Sequence, residues 1–253
     1  MKQYSTSLCL LAALAVVILG CARPADEPES VLVVLCGSSF LPPGEELCSQ
    51  FTSETGVSVS TTAAGSEDFL PLVKSGQQGD ILITHDPYLD YVRDAGALGD
   101  YAEVGFVAPV LAVQKGNPKQ LKTIEDLAKP GIRVALSDPQ YSTCGEMVFR
   151  LLEKKGIKEA VMRNVGNRLT KGHGNLATML VTDAVDAVVM WNGVASTRKD
   201  KLEIVRTPYE YDSEVRVYVI GLRYSRHPAL VAQLLDFTRA RGAKLFESHG
   251  YTK

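Results

Sequence analysis

Four short runs of small and hydroxyl-bearing residues are the part of the sequence best suited to binding chemistry. They are residues 36–39 (Cys-Gly-Ser-Ser), 63–66 (Ala-Ala-Gly-Ser), 142–145 (Ser-Thr-Cys-Gly) and 172–175 (Gly-His-Gly-Asn). Each lies where a strand should end or a helix should begin. The first turn of a helix exposes unpartnered amides with partial positive charge, and serine hydroxyls add donors. One such run indicates ordinary helix capping, whereas four favour a site that binds an anion without charged side chains.

Four side chains offer a different chemistry: Glu67, Cys144 and His173 in or beside these runs, and His85 at the end of a predicted strand that faces the same cleft. Carboxylate, imidazole and thiolate bind transition metals, so a cleft lined by these residues would hold a metal ion, a metal complex or another small solute. A helix start lowers the pKa of a thiol, so Cys144 would also be a nucleophile if a histidine acted as its base. The positions show neither a metal-ligand spacing nor a catalytic spacing. We therefore predict no catalytic residue, no cofactor and no enzyme, and keep the metal site as the alternative.

Alternating strands and helices must position these runs. Apolar runs and period-two patterns predict strands at 31–35, 57–59, 80–84, 107–113, 132–136, 186–191, 202–206 and 216–222. Helical spacing predicts helices at 43–53, 66–75, 87–95, 123–127, 145–155, 175–182 and 228–240. This alternation predicts an α/β fold in which mostly parallel sheets are flanked by helices. Ligands of open α/β sheets lie at the carboxyl ends of strands, which is where the four runs fall.

The composition excludes several classes of protein. The chain has 253 residues, of which 45% are hydrophobic, and its 27 basic and 29 acidic residues give a formal net charge of −2. This balance argues against a nucleic-acid binder, which normally carries a basic face. Five cysteines are too few for a disulfide scaffold of this length. The length is compatible with one large domain or two smaller ones.

The N-terminal segment has the pattern of an export signal. Lys2 is followed by an apolar run over residues 8–20 that is too short to span a bilayer, and Cys21 comes next. This pattern resembles a bacterial lipoprotein signal, so we predict a signal peptide at 1–20. A lipidated Cys21 and a polar tether would then occupy 21–30 and hold the protein at a membrane outside the cytoplasm. Three cysteines remain in the body of the protein, and at most one disulfide can form among them: Cys36, Cys48 and Cys144.

Four longer stretches carry a resemblance to the periplasmic molybdate-binding proteins. They are VLCGSSFLPPGEELCSQFTSETGVSV (34–59), GSEDFLPLVKSGQQGDILITHD (65–86), RVALSDPQYSTCGEMVFRLLEKKGI (133–157) and AKLFESHGYT (243–252). The resemblance implies a type II periplasmic-binding-protein fold, in which two α/β lobes close on a ligand about two crossing strands. Lobe 1 would comprise 31–108 and 208–253, and lobe 2 would comprise 109–207. The crossings would lie near Pro109 and Pro208.

The same resemblance implies a set of site residues. Ser39 and Ser66 match the two serines of the family site, and its two second-lobe amides fall on Cys144 and near Gly172. The family's tyrosine falls on Met190 or Trp191, and neither side chain offers an equivalent hydroxyl. The remaining candidates adjoin these positions in the small-residue runs: Ser38, Gly65, Thr143 and His173.

The implied function is that of an extracytoplasmic solute-binding lipoprotein. A monomer would capture a small oxyanion such as molybdate or tungstate between the lobes and deliver it to the permease of an ABC importer. A sensor or adhesin built on the same fold is a further reading that the sequence leaves open.

Overall fold

The computed structural model describes residues 31–205 and 214–252. In chain order the strands are β1 (Val31–Gly37), β2 (Ser58–Ala64), β3 (Ile81–His85), β4 (Leu98–Val107), β5 (Pro109–Gln114), β6 (Val134–Ser137), β7 (Leu169–Thr170), β8 (Ala187–Trp191), β9 (Leu202–Val205) and β10 (Val215–Leu222). The α-helices are α1 (Leu41–Thr55), α2 (Ser66–Ser75), α3 (Tyr88–Asp94), α4 (Thr143–Lys154), α5 (Lys158–Val165), α6 (His173–Val181), α7 (Asn192–Ser196) and α8 (Pro228–Ser248). Short 3₁₀ turns occupy Ser38–Phe40 and Ile124–Ala128.

Two five-stranded sheets organise these elements. The strand order is β2-β1-β3-β10-β4 in the first sheet and β7-β6-β8-β5-β9 in the second. In the first, β1 pairs in parallel with β2 and β3, while β10 pairs antiparallel with β3 and β4. In the second, β6 pairs in parallel with β7 and β8, while β5 pairs antiparallel with β8 and β9. The two-lobed α/β prediction is therefore confirmed, with sheets that are mixed rather than mostly parallel.

Strand alternation assigns the helices of the first sheet to its two faces. Leu32, Val34 and Cys36 of β1 belong to the apolar cluster that also contains residues of α1 and α8. Leu35 points the other way, into a cluster with Phe69 of α2 and residues of α3. Successive side chains of a strand face opposite sides of its sheet, so β1 is covered on both faces. The faces of β1 are therefore closed to a ligand, and the strand ends at Gly37, within the first small-residue run.

The chain passes from the first sheet to the second at Ala108. β4 ends at Val107 and β5 begins at Pro109, whose ring nitrogen has no hydrogen to donate to a ladder. The Ala108 amide donates instead to Oδ1 of Asn192 (3.2 Å), and the Asn192 amide donates to the Ala108 carbonyl (3.0 Å). The prediction of one strand over 107–113 was therefore wrong. The return between β9 and β10 runs through residues 206–213, so the predicted crossing near Pro208 lies outside the described residues.

Local signals explain several other boundaries. α2 begins and ends where the sequence predicts, with Gly76 in the left-handed conformation (φ 64°) at its end. α8 continues past the predicted end at residue 240, because Gly242 lets it pack closely on β4. A Cβ added at Gly242 would lie 2.8 Å from Cγ1 of Val104. The sequence did not predict β7, α5, α7 or the part of β4 before Val107, which carry mixed or short apolar patterns.

The predicted signal peptide, Cys21 and the tether also lie outside the described residues. Within 31–205 and 214–252, no helix has the length and apolar character needed to cross a bilayer. Cys36, Cys48 and Cys144 are free thiols, and all three are buried.

Candidate functional site

A cavity of about 40 Å³ lies between the two sheets. Its lining from the first-sheet side consists of Gly37, Ser38, Ser39, Phe40, Gly65, Ser66, Glu67, His85 and Tyr88. Its lining from the second-sheet side consists of Tyr141, Ser142, Thr143, Lys171, Gly172, His173 and Trp191. All four small-residue runs are thus represented, because the ends of β1, β2, β6 and β7 lead directly into this space.

The two sheets with their flanking helices form the first half and the second half of the protein, respectively. In the first half, Ser66 is the hydroxyl whose orientation is most clearly set by its neighbours. It is the first residue of α2 and only 8% exposed, and its Oγ accepts a hydrogen bond from Oγ1 of the buried Thr84 at 2.9 Å. The hydroxyl hydrogen of Ser66 is therefore left to donate elsewhere. Gly37 permits this arrangement, because a Cβ added there would lie 3.1 Å from the Ser66 Oγ. Ser39 lies in the adjoining 3₁₀ turn and also lines the cavity.

The second half presents the starts of α4 and α6. Ser142 caps α4, since its Oγ accepts the Gly145 amide at 3.2 Å, and Thr143 is the first helical residue. Gly172 precedes α6, which begins at His173. The early amides of both helices have no acceptor within the helix, and they provide positive partial charge beside the cavity.

Cys144 is placed differently from its predicted role. Its side chain is fully buried in the apolar core beneath the start of α4, and it does not line the cavity. Burial raises the pKa of the Cys144 thiol well above its usual value, which is the opposite of the shift that a nucleophile needs. Only the backbone amide of Cys144 remains a candidate for ligand binding.

Two buried histidines line the cavity as uncharged groups. Burial lowers the pKa of His85 to about 4, and burial together with the charge of His85 lowers that of His173 to about 3. Nδ1 of His85 lies 2.6 Å from the Asp86 carbonyl, which can only accept, so Nδ1 carries the hydrogen. The His173 ring stacks on Trp191 with 5.6 Å between ring centroids, and its Nδ1 is buried without a partner. At neutral pH neither histidine supplies positive charge to an anion.

The alternative metal site is not assembled. Glu67, His85 and His173 all line the cavity, but Cys144 does not. Among the residues that the structure describes, no group of three or more His, Cys, Asp or Glu side chains is arranged to hold a metal ion. The fold therefore brings three of the four residues of the alternative metal prediction to the cavity and leaves the Cys144 side chain in the core.

The two candidates for the family's tyrosine differ in position. Met190 is fully buried in the apolar cluster of the second sheet and faces away from the cavity. Trp191 is also buried, but it lines the cavity between the two histidines, with its ring centroid 5.6 Å from that of His85. Of the two candidates, Trp191 is therefore the one that lines the cavity.

One lysine and two carboxylates bridge the halves beside the cavity. Nζ of Lys171 lies 2.7 Å from Oδ1 of Asp68 and 3.9 Å from Oε1 of Glu67. It also lies 5.5 Å from the centre of the Tyr141 ring. Burial raises the pKa of the Glu67 carboxyl, and Lys171 acts against that rise. Lys171 was not predicted as a site residue, although it directly precedes the Gly172 run.

Five further lining residues were also missed, namely Gly37, Phe40, Tyr88, Tyr141 and Ser142. Gly37 and Ser142 belong to the small-residue runs, so the sequence does contain a signal for both of them. The three aromatic residues carry no such signal, because tertiary contacts and not a local pattern bring them to one cavity.

Known proteins share this architecture. Residues 32–252 match the family described as bacterial extracellular solute-binding protein. The chain is 26% identical to the molybdate-binding protein of Mycobacterium tuberculosis over 100% of both chains. It is 27% identical to that of Escherichia coli over 88% of this chain and 90% of the relative. The periplasmic molybdate-binding protein of Azotobacter vinelandii has a similar fold, with a TM-score of 0.71 at 18% identity over 87% of this chain and 98% of that one.

Proposed function

Since the chain belongs to the bacterial extracellular solute-binding proteins, we propose that it captures a small tetrahedral oxyanion and delivers it to the permease of an ABC importer. Molybdate and tungstate are the leading ligands, as the names of the curated relatives suggest. The observation that carries the proposal is the convergence of four hydroxyl-bearing and glycine-bearing runs on one cavity between the sheets.

The donors around the cavity match the chemistry of such an anion. A fully deprotonated tetrahedral oxyanion only accepts hydrogen bonds. Ser39 and Ser66 offer hydroxyls, and the starts of α4 and α6 offer amides. Hydrogen bonds to a charged acceptor are about twice as strong as neutral ones, so uncharged donors are sufficient. The neutral histidines add no positive charge to this donor set, and Lys171, which also lines the cavity, is paired with Asp68.

The size of the cavity favours a ligand of a few heavy atoms. Its volume of about 40 Å³ is far below the roughly 300–1,000 Å³ of sites for drug-sized molecules. A larger organic solute would therefore require the halves to separate. The ion pair of Lys171 with Asp68 joins the halves beside the cavity and opposes that separation.

We further propose the lobe division and the anchor predicted from the sequence. The division into 31–108 with 208–253 and 109–207 is supported by the change of sheet at Ala108. Capture would then bury the ligand by rotation of the lobes about this crossing. The lipoprotein pattern ending at Cys21 supports attachment to a membrane outside the cytoplasm. Ligand capture needs no covalent step, which agrees with the prediction that the protein is not an enzyme.

Isothermal titration of the purified protein with molybdate, tungstate, sulfate and phosphate tests the binding step. We expect saturable 1:1 heat with molybdate or tungstate, and molybdenum or tungsten retained after desalting. Ser39→Ala should weaken binding by about 5- to 150-fold, since a hydroxyl that donates to the enclosed anion is lost. Ser75→Ala, which removes an exposed hydroxyl at the far end of α2, should change the affinity less than twofold. Absence of heat with all four anions contradicts the proposal.

A transport assay tests delivery. Cells expressing the chain with its permease should accumulate labelled molybdate faster than cells expressing the Ser39→Ala variant. Replacement of Cys21 by serine should move the protein from the membrane fraction to the soluble fraction without changing its affinity. Equal partition of both proteins contradicts the lipid anchor.

A further inference from the structure

The carbonyl of Ser39 has no amide available to it within its own turn. Ser39 belongs to the 3₁₀ turn Ser38–Phe40, which runs directly into α1. A helical carbonyl accepts from the amide three or four residues later, and these positions are Pro42 and Pro43. Proline has no amide hydrogen, so both of these bonds are impossible. A half-buried carbonyl beside the ligand site thus requires a partner from elsewhere in the fold.

Tyr251 supplies that partner from a point 212 residues later in the sequence. Its hydroxyl donates to the Ser39 carbonyl. The Tyr251 side chain is 1% exposed, and its ring centroid lies 5.5 Å from that of Phe40 and 5.6 Å from that of Phe246. Burial raises the pKa of Tyr251 far above its usual value, so its hydroxyl keeps its hydrogen at physiological pH. The ring is held on two sides, and the hydroxyl is therefore presented in one direction.

The backbone around Tyr251 is fastened to both halves of the protein. The Phe106 amide of β4 donates to the Tyr251 carbonyl at 3.0 Å. On the other side, Nδ2 of Asn192 in α7 donates to the Thr252 carbonyl at 2.7 Å. Asn192 is the residue that also binds Ala108, where the chain crosses between the sheets. Tyr251 and Thr252 therefore lie beside Ala108, where the chain crosses between the sheets.

Gly193 makes room for the Tyr251 ring. A Cβ added at Gly193 would collide with three ring carbons of Tyr251. Gly193 follows Trp191 and Asn192, so the ring packs against the segment that carries one wall of the cavity. A single side chain thus contacts the Ser39 turn of the first half and the Trp191 segment of the second.

We propose that Tyr251 is a positioning residue of the oxyanion site. Its hydroxyl holds the Ser38–Phe40 turn in the orientation that points Ser39 at the ligand, and its ring couples this turn to the second half across the crossing. This inference rests on the function proposed above. It adds a residue that touches no ligand and acts through the Ser39 carbonyl.

The test compares Tyr251→Phe with Tyr224→Phe in the full chain. Both changes remove a hydroxyl that donates to a backbone carbonyl, because Tyr224 donates to Gln78 at 2.7 Å on the far side of the first sheet. We expect Tyr251→Phe to weaken molybdate binding by about tenfold, the usual scale for one carbonyl left unpaired. Tyr224→Phe should stay within about twofold of the wild type.

Amide hydrogen exchange without ligand gives a second readout that does not depend on binding. In Tyr251→Phe the amides of residues 38–41 should exchange at least several-fold faster, while those of α5 should not change. If the wild type binds none of the oxyanions, the proposed function fails and this exchange measurement alone decides the role of Tyr251. Unchanged exchange at residues 38–41 overturns the inference, as does unchanged affinity in a wild type that binds.

A rescue variant separates positioning from general stabilisation. Pro43→Ala returns an amide hydrogen to the position four residues after Ser39, so it can satisfy the carbonyl when the tyrosine hydroxyl is absent. In the Tyr251→Phe background, Pro43→Ala should recover slow exchange at residues 38–41 and most of the lost affinity. If Tyr251→Phe alone does not fold, the double variant should fold. A double variant that folds without recovery, or that fails to fold like the single one, overturns the inference.

Discussion

The two halves of the protein bring matching parts to the cavity but complete them differently. Each contributes a hydroxyl-bearing helix start, a buried histidine and one side of an ion pair. Ser66 of the first half is turned towards the cavity by Thr84, whereas Ser142 of the second is used to cap its own helix. His85 is fixed by a carbonyl, whereas His173 keeps an unpartnered Nδ1. In the first half, Ser66 and His85 thus have hydrogen-bond partners within the protein. The second half keeps unpaired groups, such as Nδ1 of His173, that a ligand can satisfy.

The histidine pair should produce the largest effect, which is a loss of stability in acid. Their folded pKa values of about 4 and 3 lie below the usual 6.5, so the unfolded chain binds more protons below pH 6.5. The stability that the two neutral histidines contribute is fully present above pH 6.5, and it is lost as the pH falls towards their folded pKa values of about 4 and 3. Between pH 7 and pH 5 we expect the free energy of unfolding to drop by about 2 kcal/mol for each histidine. Urea denaturation at the two pH values measures it.

Single replacements sharpen the difference between the two histidines. His85→Phe should destabilise the protein at pH 7, because the Asp86 carbonyl loses its donor, whereas His173→Phe should be nearly neutral. Each variant should show about half of the wild-type loss between pH 7 and pH 5. Equal destabilisation by both replacements would contradict the difference in hydrogen bonding between His85 and His173.

Replacing Ser66 should give the next largest effect, and it acts on ligand affinity. Ser66→Ala removes a hydroxyl that lines the cavity and leaves the buried Thr84 without its acceptor. We expect the oxyanion Kd to rise by about 5- to 150-fold, which corresponds to 1–3 kcal/mol. Titration calorimetry measures the Kd, with Ser75→Ala as the matched control. An unchanged Kd means that Ser66 does not face the ligand.

Replacing Ser142 should act on stability instead. Ser142→Ala removes the side-chain acceptor of the Gly145 amide at the start of α4. Loss of such a cap costs about 1 kcal/mol of unfolding free energy. We expect a lower urea midpoint and an affinity within about threefold of the wild type. A loss of affinity as large as that of Ser66→Ala removes the proposed difference between the two runs.

The ion pair between the halves should have the smallest effect. Lys171 is about half exposed, as is Asp68, and solvent screens exposed ion pairs so that they contribute little to stability. Lys171→Met should weaken oxyanion binding by less than about fivefold and reduce its dependence on salt. Lys74→Met, an exposed lysine on α2, is the control. Affinities measured at two salt concentrations separate the two variants, and an equal salt dependence excludes Lys171 as a contact that favours closure.

The sequence predicted what local chemistry determines. The helix starting at Ser66 has a glycine before it and acidic residues in its first turn, and these features identify it without any tertiary information. The same holds for the small-residue runs, which end up around one cavity. The resemblance to molybdate-binding proteins adds Ser39 and Ser66, and the family membership that it implied is confirmed.

The remaining features depend on contacts between distant residues. Lys171 meets Asp68 across 103 positions, and Tyr251 meets Ser39 across 212, so neither pairing leaves a local pattern. Cys144 was predicted to bind a ligand or act as a nucleophile because it lies at a helix start, but the side chain at that position faces the core. The predicted strand ran through Ala108, because an apolar run looks the same whether it stays in one sheet or passes to another, and only the family resemblance predicted a crossing near Pro109.

The strand order of the first sheet has a consequence for how the protein folds. β10 lies between β3 and β4, so this sheet stays divided until a strand from far along the chain is inserted into its middle. The described strands of the second sheet all come from one continuous stretch, residues 109–205. Contacts between residues close in sequence form faster, because less chain entropy is lost in closing the intervening loop. We therefore expect the second sheet to acquire protection first during refolding, and the cavity to form only in the final, slower step.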